Sequence, residues 1–363
     1  MRVLYITTIG ETMDFFKPLI QELVRKGNVV DIATNEKKAP VSNFFRNCGC
    51  KIYEISTSRS PLNYGNIKAV KQVRNIAINY DIVHCHTPIA GAITRIACKK
   101  IRKKTGLKVV YTAHGFHFYK GAPIRNWLLY YPIEKWCSKM TDALITINEE
   151  DFRFAILNMK ANNVFFVPGV GINVKAISDT VVNKEQKRAE LGIPNDAFMI
   201  MSIGELNKNK NHRVVIKAIA RIKNQSVYYV IAGSGPNYNK LKKFASSLGV
   251  NLVLLGYRKD IYELLKIADL FIHPSFREGL PVSVLECVAS GTNCICSNIR
   301  GCKDIINCEN LFEPNDDYTL AKKIEECVNG QNIPTCNSKN ILYFDVEMVN
   351  KEMISIYENV LKN

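Results

Sequence analysis

The chain has 363 residues, of which 47% are hydrophobic and 23% are charged. It is too long for one ordinary core, so we expect two domains, and its composition is that of a globular protein. No apolar run reaches the roughly 20 residues that cross a bilayer, which excludes a transmembrane helix. The first residues form a predicted strand, so no signal peptide is expected.

Positive charge is concentrated in one half of the chain. The formal net charge is +16, and residues 1–173 hold 25 Lys and Arg against 12 Asp and Glu. The remainder is almost balanced, with 24 against 21. A basic face confined to one half suggests that this half meets an anionic partner, either a nucleic acid or a lipid surface.

The twelve cysteines include no pair spaced as CxxC. Cys48 and Cys50, like Cys294 and Cys296, are separated by a single residue, which is poor spacing for a zinc site or a disulfide framework. We therefore expect reduced, partly buried thiols and a cytosolic protein.

The first half alternates short apolar runs with segments of helical spacing. Predicted strands cover Arg2–Thr8, Val29–Thr34, Lys51–Ile55, Asp81–His86, Lys108–Thr112, Ala143–Asn148 and Val164–Pro168. Helical spacing occurs between Phe15 and Val24 and over Val70–Asn79. Strands that alternate with helices predict a doubly wound parallel sheet, with functional residues at the carboxyl ends of the strands.

The same rhythm restarts after residue 197. Predicted strands cover Phe198–Gly204, Val227–Gly233, Leu252–Gly256, Leu270–His273 and Asn293–Ser297. The last segment, from Phe344 to Leu361, carries an apolar stripe and predicts an amphipathic helix. The fold class predicted for the whole chain is therefore α/β, with two sheet-containing domains.

One stretch of the second half combines a strand, a turn and a helix around two acids. The apolar run that begins at Leu270 ends at Pro274, and Pro281 suits the first position of a helix that stops at Gly291. Glu278 lies in the turn and Glu286 about two helical turns later. Such a helix start offers backbone N–H groups and a positive dipole end to a phosphate.

Glu278 and Glu286, with seven residues between them and Gly-Leu-Pro directly after the first, resemble the E-x7-E signature of retaining, nucleotide-sugar-dependent glycosyltransferases of the GT-B fold, the family four group. The resemblance covers nearly the full chain. It implies two Rossmann-like domains that face each other across a cleft, with the C-terminal helix crossing back to the first. The implied domains are residues 1–172 on the acceptor side, 173–342 for the nucleotide sugar, and 343–363 for that helix.

The resemblance also implies a set of donor-binding residues. They are Gly204, Lys210, Gly233, Gly235, Tyr257, Arg258, Glu278, Gly279, Leu280, Pro281, Val282 and Glu286. Glu286 is expected to bind ribose hydroxyls, Glu278 to orient sugar hydroxyls, and Lys210 to meet the diphosphate. Lys210 could instead belong to a solvated basic turn, and Arg258 could be a surface charge.

This sequence departs from the family pattern at Glu205, where relatives usually carry an arginine. A carboxylate does not bind a diphosphate directly, so one positive ligand is either missing or comes from elsewhere, from Lys208 or Arg277. A third glycine and a downstream ribose-binding acid are absent after Gly235, which disfavours NAD. No Asp-x-Asp occurs, so we expect no metal and no cofactor.

In the first half, His114 follows a predicted strand, and by resemblance it would contact the donor sugar and the acceptor. Together with Glu278 it is our predicted catalytic pair. His84 and His86 lie in an apolar strand, and one of them is expected to be a hydrogen-bonded core histidine.

The segment 89–104 combines an apolar stripe with basic residues. The predicted membrane or acceptor side consists of Arg95, Lys99, Lys100, Lys103, Lys104 and Trp127. A basic amphipathic helix with nearby aromatic residues suits anionic headgroups. The alternative is that the stripe faces the sheet and the lysines simply solvate it.

The predicted function is metal-independent, retaining transfer of a sugar from a nucleoside diphosphate sugar, most simply a UDP-sugar. The acceptor would be a polyprenyl-diphosphate-linked sugar or an oligosaccharide in surface polysaccharide synthesis, with the enzyme peripheral on the inner face of the cell membrane. A GT-B sugar-nucleotide epimerase, a basic nucleic-acid-binding protein and a non-catalytic partner subunit remain alternatives. No nucleic-acid recognition motif interleaves basic and aromatic residues, so nucleic acid is not expected.

Overall fold

The computed structural model describes residues 1–58, 60–61, 63–331 and 341–362. The chain divides into two compact units, Met1–Gly171 with Val346–Asn363, and Ile172–Asp345. Residues 332–340, within the predicted second domain, and residue 363, at the end of the predicted C-terminal helix, lie outside the described part. No helix of the described residues is both long enough and apolar enough to cross a membrane.

The first unit is built on a seven-stranded sheet with the order β3-β2-β1-β4-β5-β6-β7. Its strands are β1 Arg2–Ile6, β2 Val29–Thr34, β3 Ile52–Glu54, β4 Ile82–His86, β5 Lys108–Ala113, β6 Ala143–Thr146 and β7 Asn163–Phe166. Every neighbouring pair is parallel. All five residues of β4 are buried, as expected for a strand covered on both faces.

In the described part of the first unit, seven helices connect these strands. They are α1 Lys17–Arg25, α2 Asn43–Asn47, α3 Gly65–Ala77, α4 Pro88–Cys98, α5 Ile101–Thr105, α6 Ile124–Ser138 and α7 Glu149–Asn158. A 3-10 turn, Gly10–Phe16, precedes α1, so the helix predicted to begin near Phe15 begins at Lys17. The basic segment predicted as one stripe is divided between α4 and α5.

The second unit holds a six-stranded parallel sheet with the order β10-β9-β8-β11-β12-β13. Its strands are β8 Phe198–Ile203, β9 Val227–Ala232, β10 Asn251–Gly256, β11 Leu270–His273, β12 Cys294–Ser297 and β13 Leu311–Phe312. Its helices are α8 Val174–Ser178, α9 Lys184–Glu190, α10 His212–Ile222, α11 Tyr238–Ser247, α12 Ile261–Ile267, α13 Val282–Ser290, α14 Cys302–Ile305 and α15 Asp317–Val328. The two-residue strand β13 was not predicted, because two apolar residues carry no periodicity.

The last helix, α16 Val346–Lys362, packs on the first unit. Its buried face joins the core formed by the first sheet and α1, and Tyr357 is fully buried there. The hydroxyl of Tyr357 lies 2.6 Å from that of Tyr5 and 2.5 Å from Nδ1 of His84. The predicted return of the C-terminal helix to the first domain is confirmed.

Candidate active site

The turn between β11 and α13 has the local structure that its sequence predicts, with one shift. Pro281 is the N-cap of α13 and not its first residue, in an extended conformation with φ −78° and ψ 107°. Proline has no side-chain acceptor, so no side chain of the N-cap occupies the first amides of the helix. Gly291 ends the helix in the left-handed conformation, with φ 78°.

Glu278, in the turn before α13, has two side-chain nitrogens close to one of its oxygens. Lys210 Nζ lies 2.8 Å from Glu278 Oε1, and His273 Nε2 lies 3.3 Å from the same oxygen. Burial alone would raise the pKa of Glu278, but the histidine contact and the lysine ammonium hold that pKa well below its usual range. Glu278 is therefore an anion with a cation already beside it.

His273 connects this carboxylate to the start of α13. Its ring is buried, and burial lowers its pKa below the usual value, although Glu278 opposes the shift. The Oγ of Ser283 lies 3.4 Å from Nδ1 of the ring. In the neutral tautomer that carries its proton on Nε2, Nδ1 accepts from the Ser283 hydroxyl and the N–H faces Glu278.

The loop after β8 places Lys210 beside this carboxylate. The backbone N–H of Lys210 donates to Asn207 Oδ1 at 3.0 Å. Asn209 Nδ2 donates to the carbonyl of Arg277 at 3.0 Å, and the N–H of Phe276 donates to the carbonyl of Asn209 at 2.8 Å. These bonds tie the lysine loop to the glutamate turn, so the Lys210–Glu278 pair follows from the backbone and not from chance side-chain rotation.

Glycines let the strand-end loops meet backbone to backbone. Gly233 has φ +157°, and a Cβ there would lie 1.9 Å from the carbonyl oxygen of Gly204. A Cβ on Gly235 would lie 2.7 Å from the backbone nitrogen of Leu206. The close approach explains why no side chain fits at these positions. Contact of these glycines with a phosphate stays a prediction.

Glu286, on α13, has a different environment from Glu278. Burial raises its pKa to about 7. Its charge also contributes to a raised pKa of Tyr262, which is thus a neighbour, although burial is the larger cause there. Glu286 has no ion-pair partner among the residues that the structure describes. The two carboxylates of the motif therefore differ in charge near neutral pH.

Tyr257 and Arg258 follow β10. The Tyr257 side chain is 78% exposed. Arg258 forms a bidentate ion pair with Asp260, whose carboxylate also lies 2.7 Å from Lys187 Nζ. The charge of Arg258 is therefore already compensated, which agrees better with a structural role than with a free ligand. Glu205 is exposed and accepts from the Asn207 side chain at 2.9 Å.

In the first unit, His114 follows β5 and lies beside the end of β4. Its Nε2 is 3.0 Å from Nδ1 of His86, and the ring of Phe16 is 4.1 Å from that of His86. Burial lowers the pKa of His114 to about 4, so it is neutral at physiological pH. His84 is the hydrogen-bonded core histidine, since it contacts Thr112 at 2.8 Å in addition to the C-terminal helix.

The predicted basic surface needs one correction. Arg95 is fully buried, and its guanidinium pairs with Glu134 at 2.8 Å and stacks on the ring of Tyr111. It cannot face a lipid surface, because the helix rotates this position toward the sheet. Trp127 is half-buried against Phe118. The four predicted lysines of this surface, Lys99, Lys100, Lys103 and Lys104, are exposed.

Sequence reasoning missed three residues that shape the glutamate turn. His273 could have been found from the sequence, since it is the last residue of a buried strand. His114, which was predicted, has a similar place directly after a strand. Arg300 donates from Nε to the carbonyl of Glu278 at 3.0 Å, and a Cβ on Gly301 would lie 2.3 Å from the carbonyl oxygen of Gly279. These two contacts join distant segments, so no local pattern announces them.

Two family models match the chain. Residues 2–148 match the family described as glycosyl transferase 4-like, and residues 183–340 match glycosyl transferases group 1. The chain is 37% identical over 322 residues to the Bacillus subtilis protein named as glycosyltransferase EpsD. This alignment covers 84% of each chain.

Two further relatives carry more specific names. A Campylobacter jejuni protein that is 25% identical over the full length of both chains is named N,N'-diacetylbacillosaminyl-diphospho-undecaprenol alpha-1,3-N-acetylgalactosaminyltransferase. An Escherichia coli UDP-Gal:alpha-D-GlcNAc-diphosphoundecaprenol alpha-1,3-galactosyltransferase is 30% identical over 65% of this chain and 64% of its own.

Solved structures show the same fold. HepE of Anabaena, crystallised in complex with UDP, superposes with a TM-score of 0.79 at 18% identity and covers 99% of this chain and 100% of its own. Two parallel-sheet Rossmann-like units, an acidic pair on a strand–turn–helix element and a relative 37% identical over 84% of the chain all agree. The chain belongs to the GT-B glycosyltransferases of the family four type.

Proposed function

We propose that this glycosyltransferase moves a sugar from a UDP-sugar to a polyprenyl-diphosphate-linked acceptor, with retention of the anomeric configuration and without a metal ion. The observation that carries the donor half is the pair formed by Lys210 and Glu278 at the N-terminal end of α13. The relatives named for transfer onto diphosphoundecaprenol-linked sugars, and the UDP complex of the Anabaena protein, support the choice of donor and acceptor.

In this proposal the ammonium of Lys210 exchanges its ion-pair partner, from Glu278 to the diphosphate of the bound donor. The lysine ammonium and the amides at the start of α13 then stabilise the charge that develops on the leaving phosphate, which is commonly the largest catalytic contribution. Glu278, released from its cation but still facing His273, accepts from hydroxyls of the transferred sugar. Glu286 accepts from the ribose hydroxyls.

The remaining steps use neutral groups. His114, neutral because burial lowers its pKa, would contact the donor sugar and the acceptor without carrying charge to the reaction. The proton of the incoming hydroxyl would pass to the leaving phosphate oxygen as the new glycosidic bond forms and the old one breaks. Retention and metal independence are implied by the family resemblance, and both are open to direct test.

The donor is tested first by thermal shift with a panel of nucleotide sugars, because a bound donor stabilises the folded state by mass action. UDP release is then measured with and without a polyprenyl-diphosphate-linked sugar, in the presence of a chelator. Turnover that needs both substrates and survives chelation supports the proposal. Turnover that depends on added manganese, or an anomeric inversion in the product, contradicts it.

We further propose that the basic surface of the first unit docks on anionic lipid. The test replaces four of its exposed lysines by glutamate, namely Lys99, Lys100, Lys103 and Lys104. The matched control replaces four exposed lysines of the second unit, namely Lys240, Lys242, Lys243 and Lys259. Sedimentation with anionic vesicles should fall for the first variant alone and should weaken with salt for the wild type. Equal sedimentation of both variants would remove the proposal.

A further inference from the structure

An apolar groove runs over one face of the first unit. It lies between α3, α4 and α6 and has a volume of about 270 Å³. Its apolar lining includes Ile67, Val70, Ile89, Ile96, Leu129 and Ile133. Four of these side chains are strongly exposed, at 64% for Ile67, 49% for Leu129, 43% for Ile133 and 36% for Ile96. A cluster of exposed branched side chains around one depression is the usual sign of an apolar ligand or partner.

Two polar side chains that line the groove, Glu134 and Asn66, are already paired. Glu134, which lines it, pairs with the buried guanidinium of Arg95 at 2.8 Å and accepts from the Tyr111 hydroxyl at 3.1 Å. Asn66, which also lines it, donates to the carbonyl of Ser60 and accepts from the N–H of Ser58. Among the described lining residues, neither of these two side chains is left to select an ionic ligand, so a hydrocarbon chain suits this groove.

One end of the groove lies beside His86 and His114 of the first unit. Pro88, which lines it, is two residues after His86, and His86 contacts His114. Tyr130, another lining residue, packs its ring 4.7 Å from that of His117, three residues beyond His114. The groove therefore starts at the strand-end edge that carries the predicted acceptor contact.

That end also has the polarity that a diphosphate needs. The start of α4 is at Pro88, and no side chain of the N-cap residue Thr87 caps it. An eleven-residue helix presents its amides and positive dipole end there. From Ile89 the groove follows α4 to Ile96, about 10 Å along the helix axis. Lys99 and Lys100 stand just beyond, exposed.

We infer that this groove binds the first isoprene units of a polyprenyl-diphosphate acceptor. The diphosphate lies at the start of α4, the chain follows the helix, and it leaves past the lysines toward the anionic bilayer. A groove of this volume holds only a segment of such a chain, so the rest stays in the lipid. The inference rests on the acceptor class of the proposed function and adds the site where the lipid is recognised.

The test measures direct binding, so it does not depend on turnover. The probe is geranylgeranyl diphosphate below its micelle concentration, followed by the fluorescence of the two tryptophans, Trp127 and Trp136, which both lie on α6. We expect wild-type protein to bind this probe more tightly than inorganic diphosphate. The groove variant Leu129→Gln with Ile133→Asn should bind the probe about tenfold more weakly, equivalent to about 1.4 kcal/mol.

The matched control is Ile124→Asn with Leu128→Gln. These side chains lie on the same helix and are even more exposed, at 77% and 74%, but they do not line the groove. The control should keep wild-type affinity. Circular dichroism verifies that both variants fold, and Ile96→Asn on α4 replaces the groove variant if it does not.

Three results would overturn the inference. The first is equal affinity of the groove and control variants for the probe, and the second is equal wild-type affinity for geranylgeranyl diphosphate and inorganic diphosphate. The third is that the groove variant loses binding to phosphatidylglycerol vesicles without polyprenyl lipid to the same extent as it loses binding to the probe. The last result would make the groove a general bilayer contact. Probe binding without any sugar transfer would refute the proposed function and leave the groove standing, whereas sugar transfer without probe binding would do the opposite.

Discussion

The raised pKa of Glu286 makes donor affinity depend on pH in a direction that can be calculated. If the ribose hydroxyls need a carboxylate, only the ionised form of Glu286 binds the donor well. With a pKa of about 7, the ionised fraction is about one in eleven at pH 6 and about ten in eleven at pH 8. Affinity for the donor should therefore rise about tenfold between these two pH values.

The stability of the free protein should change in the opposite direction. Burial raises the pKa of Glu286 from 4.5 to about 7, so between these values the folded state binds a proton that the unfolded state does not. Stability therefore falls as pH rises through this window, by about 3 kcal/mol at most for the full shift. A bound donor would offset part of this loss.

The assay is calorimetric titration of a UDP-sugar between pH 6 and 8, with thermal unfolding of the free protein at the same pH values. A UDP-sugar is preferable to UDP, because its diphosphate is esterified at both ends and lacks the phosphate ionisation near pH 6. The matched variant is Glu286→Gln, which keeps the shape and removes the ionisation. It should bind the donor more weakly, with an affinity that does not change with pH.

An identical rise of affinity with pH in wild type and Glu286→Gln would refute this reasoning. Five histidines would not produce that rise, because burial lowers the pKa values of His84, His86, His114, His212 and His273 and so moves their titration away from this pH range. Affinity that falls with rising pH in the wild type would be equally damaging, since the neutral carboxyl would then be the binding form.

Three further predictions follow from single contacts. Lys210→Ala should weaken UDP-sugar binding about tenfold to a hundredfold by calorimetry, since it removes a charge-assisted contact. Lys208→Ala, at an exposed position of the same loop, should change the affinity less than about threefold. Equal losses of affinity in the two variants would show that the loop acts only through its net charge. Arg95→Met should lower the free energy of unfolding in urea by about 3–5 kcal/mol, because it leaves the buried carboxylate of Glu134 unpaired. Adding Glu134→Leu should restore most of the lost stability. A double variant no more stable than the single one would contradict the pairing. Gly233→Ala should lower the stability measured by thermal unfolding by at least about 2 kcal/mol, because its Cβ would lie 1.9 Å from a carbonyl oxygen of the facing loop. An unchanged unfolding midpoint would show that the two loops are not packed so closely.

The fold could be predicted because its signals are local. The strands β2 and β11 have the predicted bounds, Val29–Thr34 and Leu270–His273, since a buried parallel strand is a continuous apolar run between turn residues. Gly291 ends α13 as predicted, because only a residue without a Cβ easily adopts its left-handed conformation. The α/β class and the acidic motif follow from the same kind of evidence.

The wrong assignment of Arg95 has one cause, which is that a helical pattern does not say how a helix is rotated. Arg95 sits among basic residues in the sequence, yet the rotation of α4 turns it inward onto Glu134, 39 positions away. In the same helix Ile96, one residue further along, is exposed and lines the groove. Neither position could be assigned before α6 was placed beside α4.

The sequence by itself determined the α/β architecture, the strand–turn–helix element with its two glutamates, and the family. Only the tertiary structure decided that Lys210 and His273 converge on one oxygen of Glu278, that Glu286 is buried enough to be partly protonated near neutral pH, and that an apolar groove opens beside His114's strand edge. The physical reason is that periodicity and turn chemistry are encoded over a few neighbouring residues. Charge pairing, desolvation and cavity shape depend on groups that folding brings together from distant segments.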